Sequence, residues 1–281
     1  MIKYIEWGRH LRLGNWLFIY AGLQSILKDV DNQICMPDSY FLWKYLENPP
    51  TLITADNYDE LFHFRTHEYS EQERDYIRQF FIDNKDKIVN INLGSNLQDE
   101  RWFIENKEYV IDKLRIKDEY VQVVKEKYSY VFTRPTIGIG IRRGDFVGHG
   151  DFYQIPEQWY IQALHTNFPD HADYNVVIFS DNIDECRQIY GDRYMYADSN
   201  NTHTHADNFK HYHNDPMDQY ILGTLMDHYI GSNSTFSWWH MWWVKNVNGG
   251  KVVHCGENLS PSSVHYNNPN YYPTDWILHK I

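Results

Sequence analysis

The sequence predicts an α/β fold with parallel sheets, divided between two domains. Three observations carry this. The chain has 281 residues, about two domains' worth at roughly 150 residues each. It opens on a strand, a glycine-bearing loop and a helix, which is how an α/β unit begins. Its second half alternates short β-branched runs with helical stretches, the spacing of strand–helix–strand crossovers.

The elements follow in order. Residues 2–7 alternate as a strand, and residues 8–14 form a loop carrying Arg9, His10 and Arg12. A helix is predicted from Asn15, with Leu17, Tyr20, Ala21, Gln24 and Leu27 at helical spacing. Residues 37–60 read as irregular, punctuated by Pro37, Pro49 and Pro50. Ser70 followed by Glu73 is a capping box, opening a helix through Ile77, Phe80 and Phe81. One further helical stretch covers residues 107–128.

The composition changes at Thr133-Arg134-Pro135, which sets expected domains at residues 1–133 and 134–281. Residues 136–141 then form a strand whose glycines, Gly138 and Gly140, call for something packed close against the backbone. Pro156 opens a helix containing Trp159, Tyr160, Ala163 and Leu164. The apolar run Asn175 to Phe179 suits a buried parallel strand. Asp215 caps a helix with Pro216 in its first position, running to about His228. Tyr229-Ile230-Gly231 and Lys251 to His254 are short strands. A Rossmann-like parallel sheet in the second half follows.

Composition excludes several classes. With 42% hydrophobic and 23% charged residues the chain folds rather than staying disordered. No apolar run reaches membrane-spanning length, and the N-terminus is charged where a signal peptide is apolar. We expect a cytoplasmic protein. A formal charge of −12 gives no overall attraction for nucleic acid or anionic membrane, so an anionic ligand needs a local cluster of cations. Cys35, Cys186 and Cys255 are too few and too widely spaced for a disulfide framework or a zinc motif. The 17% aromatic content suits sugar stacking and equally a tyrosine-rich core.

Ligands of open parallel sheets bind at the carboxyl ends of strands. Two predicted strand ends carry polar groups there: Arg142-Arg143-Gly144-Asp145 and Ser180-Asp181-Asn182. Adjacent arginines can place one guanidinium on a diphosphate and tie the other to a carboxylate. A surface turn with an Arg–Asp ion pair would look the same. The third element, Ser232-Asn233-Ser234-Thr235-Phe236-Ser237-Trp238-Trp239, reads as a helix N-terminus, where free N–H groups and hydroxyls cradle phosphate. It could equally be an ordinary serine cap.

Together these segments resemble the α-1,2-fucosyltransferase family and, more distantly, the α-1,6- and O-fucosyltransferases. Leu13-Gly14-Asn15-Trp16-Leu17-Phe18-Ile19-Tyr20-Ala21 looks like the family's G-L-G-N-Q-hydrophobic-F-Q-Y-A stretch. Ile141 to Phe146 looks like its H-x-R-R-x-D motif, and Ser232 to Trp239 like its S-N-S-[ST]-F-S-W-W motif. Phe179-Ser180-Asp181-Asn182 and Tyr272-Pro273-Thr274-Asp275-Trp276 are weaker matches. The resemblance implies a GT-B-like fold of two facing Rossmann-like domains, the N-terminal one on the acceptor side and the C-terminal one holding the nucleotide sugar. It implies inverting transfer of a sugar, most simply L-fucose from GDP-fucose, to a hydroxyl of an oligosaccharide acceptor, with no metal and no other cofactor. By the same resemblance Arg142 holds the β-phosphate and Arg143 supports the site. Ser234, Thr235, Phe236 and Ser237 line the phosphates, and Gly14 and Asn15 approach from the N-terminal side.

Two positions depart from the family. Gly140 stands where the family has His, and Asn182 where the related enzymes carry the acid that reads guanine. An Asn presents one acceptor oxygen and an NH₂ that faces a donor. A UDP-sugar transferase, for instance a xylosyltransferase, is therefore the second reading, while Asp181 rotating into the task would keep guanine recognition. A noncatalytic glycan-binding protein is the third, opposed by the intact arginine pair. Asp145, His149 and Asp151 are the candidates for the base that takes the acceptor proton. His203, His205, His211 and His213, with Asp207 and Asp215, lack the spacing of a zinc site and read as a polar loop. Asp29-Val30-Asp31 reads as a helix-end turn rather than a metal-holding D-x-D. Trp238, Trp239, Trp242 and Trp243 read mostly as core.

Overall fold

A computed structural model describes residues 2–3, 12–30, 34–37, 41–53, 59–64, 69–93, 97–198, 216–263 and 268–281. The chain divides into two compact units, Met1–Lys117 with Asn268–Tyr271, and Asp118–Asn267 with Tyr272–Ile281.

The first unit contains β1 (Ile2–Lys3), α1 (Leu13–Ile26), β2 (Ile34–Pro37), β3 (Thr51–Ile53), β4 (Glu60–Phe64), α2 (Glu71–Asp83), β5 (Val89–Leu93) and α3 (Lys107–Lys113). Its five strands lie in the order β3-β2-β1-β5-β4, and each recorded pairing is parallel. Helix α1 buries Leu17, Phe18, Ile19, Ala21 and Leu23 completely, so it is a core helix with apolar residues all round. Ser70 Oγ accepts the Glu73 N–H at 3.1 Å, which makes the predicted cap at the start of α2.

Two expectations change here. The stretch read as irregular holds β3 and a 3₁₀ turn, Phe41–Tyr45, that buries Leu42 and Trp43. The helix expected over residues 107–128 is broken. Between its halves Ile116 bridges Leu46, the Lys117 N–H donates to the Tyr45 carbonyl at 2.9 Å, and the Glu47 N–H donates to the Arg115 carbonyl at 2.8 Å. These strand-like bonds consume backbone groups that a continuous helix would need. The split between units falls in this break, ahead of Thr133-Arg134-Pro135.

The second unit contains α4 (Asp118–Lys127), β6 (Thr136–Ile141), α5 (Glu157–Asn167), β7 (Asn175–Ser180), α6 (Ile183–Tyr190), β8 (Met195–Tyr196), α7 (Pro216–Thr224), β9 (His228–Ile230), α8 (Thr235–Asn246), β10 (Val252–His254) and β11 (Ile277–Leu278). Helix α4 belongs here because it packs on α7, and Lys127 Nζ pairs with Asp218. The six strands lie in the order β11-β10-β9-β6-β7-β8, again with parallel pairings. Pro156 is the residue just ahead of α5. Helix α7 ends at Thr224, short of the expected His228, which instead begins β9. Asp215 and the histidine-rich stretch lie outside the described residues.

Strand β6 sits inside the sheet and is buried along its length. Ile137, Ile139 and Ile141 join a core with Trp159, Leu164, Ile178 and Cys186. The opposite face is bare by design: a Cβ on Gly138 would lie 2.5 Å from the Tyr229 ring. That face is closed by α8, whose Trp238, Trp239 and Trp242 are fully buried, as the sequence predicted. Each such ring contributes about 1.5–3 kcal/mol of burial. Among the described residues no helix is long and apolar enough to cross a membrane.

Candidate functional site

The chain leaves β6 towards β7 on one side, while β9 pairs with β6 on the other. Strand order therefore reverses at the carboxyl ends of β6 and β9, the crevice where open parallel sheets bind ligands. The two segments emerging there are the predicted ones, residues 142–146 and 232–237.

Arg143 leaves the strand at φ −116°, ψ −102°, outside the regular regions. Its N–H donates to Asp181 Oδ1 at 2.9 Å, so the turn is held by the end of the neighbouring strand. Gly144 follows at φ +26°, and a Cβ there would meet Asp181 Oδ2 at 2.1 Å. Only glycine fits between the arginines and that carboxylate.

The two guanidiniums diverge. Arg142 pairs through Nη1 with Asp181 at 3.0 Å and through Nη2 with Asp145. Its plane lies 5.2 Å from the Phe146 ring, which stacks on Phe152 at 3.9 Å. Its Nε is buried without a hydrogen-bond partner. Arg143 reaches the helices instead, Nη1 to Glu157 of α5 at 3.2 Å and Nη2 to Glu185 of α6. The hydrogen bond from Arg143 lowers the Glu185 carboxyl pKa and raises that of the guanidinium, so both stay charged.

Asn182 is committed to the same support. It caps α6, its Oδ1 accepting the Glu185 N–H at 3.3 Å while its Nδ2 donates to Glu185 Oε2 at 3.0 Å. A cavity of about 240 Å³ lies beside the arginines, lined among others by Arg142, Arg143, Tyr153, Gln154, Glu157 and Asn233.

At the end of β9, Ser234 caps α8 by accepting the Ser237 N–H at 3.2 Å. Ser232 Oγ donates to Ser237 Oγ at 3.0 Å, and Asn233 Nδ2 donates to the Asn258 carbonyl at 2.7 Å. Thr235 and Phe236 are half-buried. The Phe236 ring packs edge-on to His240 at 4.7 Å. The first-turn N–H groups of α8 have no intrahelical acceptor, so this end suits an anion.

The sequence profile of glycosyl transferase family 11 matches residues 63–279. The chain belongs to glycosyl transferase family 11. An α-1,2-colitosyltransferase of Escherichia coli is 26% identical over 163 residues, which is 56% of this chain and 52% of that enzyme. The aligned part thus spans about half the length of that curated relative. The fold is shared with solved fucosyltransferases. POFUT1 in complex with GDP superposes at a TM-score of 0.53 with 11% identity, covering 90% of this chain and 97% of its own. The NodZ α-1,6-fucosyltransferase, a Bradyrhizobium protein, soaked with GDP-fucose, gives 0.52 with 8% identity over 87% and 91%.

In this family 11 chain the remaining predicted residues fall in separate places. His149 and Asp151 lie on the loop after the arginine turn. His149 Nδ1 accepts the Asp151 N–H at 3.2 Å and stands 3.8 Å from the Asp151 carboxylate. Gly14 and Asn15 belong to the first turn of α1 in the other unit, where Asn15 Oδ1 accepts from Gln98 Nε2 at 3.0 Å. Asp29 lies in the turn after α1, as expected, and Asp31 is outside the described residues.

Sequence reasoning missed Glu157 and Glu185, which fix Arg143. It also missed the pair filling the place above Gly140, where a Cβ would lie 2.2 Å from Ser237 Oγ and 2.9 Å from the Tyr229 hydroxyl. That hydroxyl is 2.7 Å from His240 Nδ1. The glycine was the one available signal, and it announces a close approach without naming what approaches.

Proposed function

We propose that this family 11 glycosyltransferase moves a sugar, L-fucose from GDP-fucose in the first instance, to a hydroxyl of a glycan acceptor. The observation that carries the reading is Arg142 lining one cavity with Asn233, just ahead of α8, at the point where strand order reverses. The GDP and GDP-fucose in the fucosyltransferases of the same fold, and the colitosyl transfer named for the E. coli relative, support a GDP-linked deoxysugar. In this reading the second domain binds the nucleotide sugar, and the first, which carries Gly14 and Asn15, serves the acceptor. Arg142 and the α8 amides receive the diphosphate. Because that group gains charge as the glycosidic bond breaks, cations and dipoles already aimed at it lower the barrier.

In-line displacement puts the base on the far side of the reacting carbon from the phosphate. Asp145, in the turn beside the guanidinium that receives the phosphate, is then on the wrong side. His149 already uses its Nδ1 lone pair on the Asp151 N–H, which leaves the other ring nitrogen protonated in the neutral form. Asp151 is the better base. Base recognition does not run through Asn182 here, since both ends of its amide serve α6.

A UDP-linked donor is the second reading, kept because Asp181 too is engaged by Arg142 and Arg143. Thermal unfolding with GDP, UDP and ADP, each with EDTA and with Mg²⁺, separates the two. Ligand at a hundred times its dissociation constant adds about 2.7 kcal/mol. A rise in Tm with GDP alone, unchanged by EDTA, is the expected result. A rise with UDP alone replaces the donor, and no rise with any nucleotide ends the transferase reading in favour of glycan binding.

A further inference from the structure

The resting arrangement leaves no simple place for a diphosphate. Arg143 is held at both ends by Glu157 and Glu185. Arg142 has its Nη1 on Asp181, its Nη2 on Asp145 and its Nε turned inwards and buried. Each guanidinium therefore already faces two carboxylates, and the local field repels an incoming anion. A phosphate can reach Arg142 strongly only by taking the position of one carboxylate.

The two partners of Arg142 differ in what holds them. Asp181 is 11% exposed and also accepts the Arg143 N–H that shapes the turn. Losing it would undo the turn itself. Asp145 is 41% exposed and lies on the solvent side, in the short turn Gly144–Phe146. Gly144 precedes it at positive φ, a backbone position that can be re-aimed at low cost.

We infer that Asp145 is a resident competitor: its carboxylate occupies the outer edge of Arg142 until the diphosphate of the nucleotide sugar displaces it. Binding exchanges one anion for another on Nη2 while Asp181 keeps Nη1, so no unpaired guanidinium is exposed at any stage. The same exchange runs backwards after transfer. Asp145 returning to Arg142 helps expel the nucleoside diphosphate product, whose charge is greater than that of the bound sugar nucleotide. Asp145 thus sets the balance between capture and release rather than performing the bond-making step.

The inference rests on the diphosphate reading above, and the experiment separates the two. Titration calorimetry with GDP compares the intact chain with Asp145→Asn, Asp181→Asn and Arg142→Ala. The expected result is tighter GDP binding by Asp145→Asn, by roughly 3- to 10-fold, the worth of a partly exposed ion pair. Its steady-state kcat should fall as release slows. Asp181→Asn and Arg142→Ala should bind more weakly. Unchanged or weaker GDP binding in both Asp145→Asn and Asp145→Ala, with Tm as in the intact chain, overturns the inference and makes Asp145 a support for Arg142. An intact chain that binds neither GDP nor UDP overturns the diphosphate reading instead, and one that binds UDP alone is tested with UDP in the same variants.

Discussion

The two faces of β6 take the same strand to different ends. On the isoleucine face, Ile137, Ile139 and Ile141 lie in a dry core, and the line continues into Arg143, locked between α5 and α6 by Glu157 and Glu185. On the glycine face, Gly138 and Gly140 admit Tyr229 and Ser237 to the backbone, and buried polar groups accumulate: Ser232, Ser234, Ser237 and His240. One face is fastened at its polar end to two helices. The other is built from buried hydroxyls and a buried imidazole behind the α8 N-terminus. Adjacent arginines at the strand end therefore do different work.

The largest expected effect tests that division. Arg142→Ala should lower kcat/KM by about 10²–10³, the usual cost of one preorganised group on a developing negative charge, and should lower Tm as well, because the buried Asp181 loses its counter-ion. Arg143→Ala should lower Tm for the same reason at Glu157 and Glu185, with a much smaller loss of activity. Steady-state kinetics and thermal unfolding on both variants suffice. Equal losses of activity in the two variants would abolish the distinction between the faces.

The next tests the glycine face alone. At Gly140 a Cβ would lie 2.2 Å from Ser237 Oγ and 2.9 Å from the Tyr229 hydroxyl, inside contact distance. Gly140→Ala should destabilise by about 1–3 kcal/mol, the cost of overpacking, read by urea unfolding. Gly140→Ala with Tyr229→Phe should recover part of the loss if the hydroxyl is the obstacle. A neutral Gly140→Ala would mean that Ser237 moves aside freely and the face is looser than described.

These elements also mark what was legible in advance. The arginine turn, the serine cap of α8 and the strand of β6 were readable, because each is local and its chemistry lies in consecutive residues. Pro156 and Ser70 marked helix starts for the same reason. The partners Glu157 and Glu185 were not readable, since each belongs to a helix placed by the crossover rather than by nearby sequence. Most of the first sheet was missed too: β3 is a three-residue strand with Leu52 43% exposed, too short and too wet to show a period of two. The break between α3 and α4 was invisible because bonds to residues 45–47 decide it.

The smallest expected effect concerns acid. His240 and His254 both have pKa values lowered by burial, to about 3 and about 4, because the imidazolium loses its water there. Both belong to the glycine side: His240 on α8 against Tyr229, and His254 stacked on Tyr272 at 4.1 Å, whereas its neighbours Val253 and Cys255 join the isoleucine core. In the unfolded chain both titrate near 6.5. Above that pH neither state holds the proton and stability is unaffected. As pH falls below about 6.5 the unfolded chain takes up protons that the fold refuses, so stability drops until the folded values are reached. The slope is about 1.4 kcal/mol per pH unit for each imidazole. Urea unfolding followed by tryptophan fluorescence at pH 7 and pH 5.5 should show this loss. His254→Asn should lessen it, because the amide oxygen can still accept the Gly256 N–H that His254 Nδ1 accepts at 3.1 Å. A curve that stays flat over that interval would place these imidazoles in contact with water, and the glycine face would then be open on its inner side as well as at the α8 N-terminus.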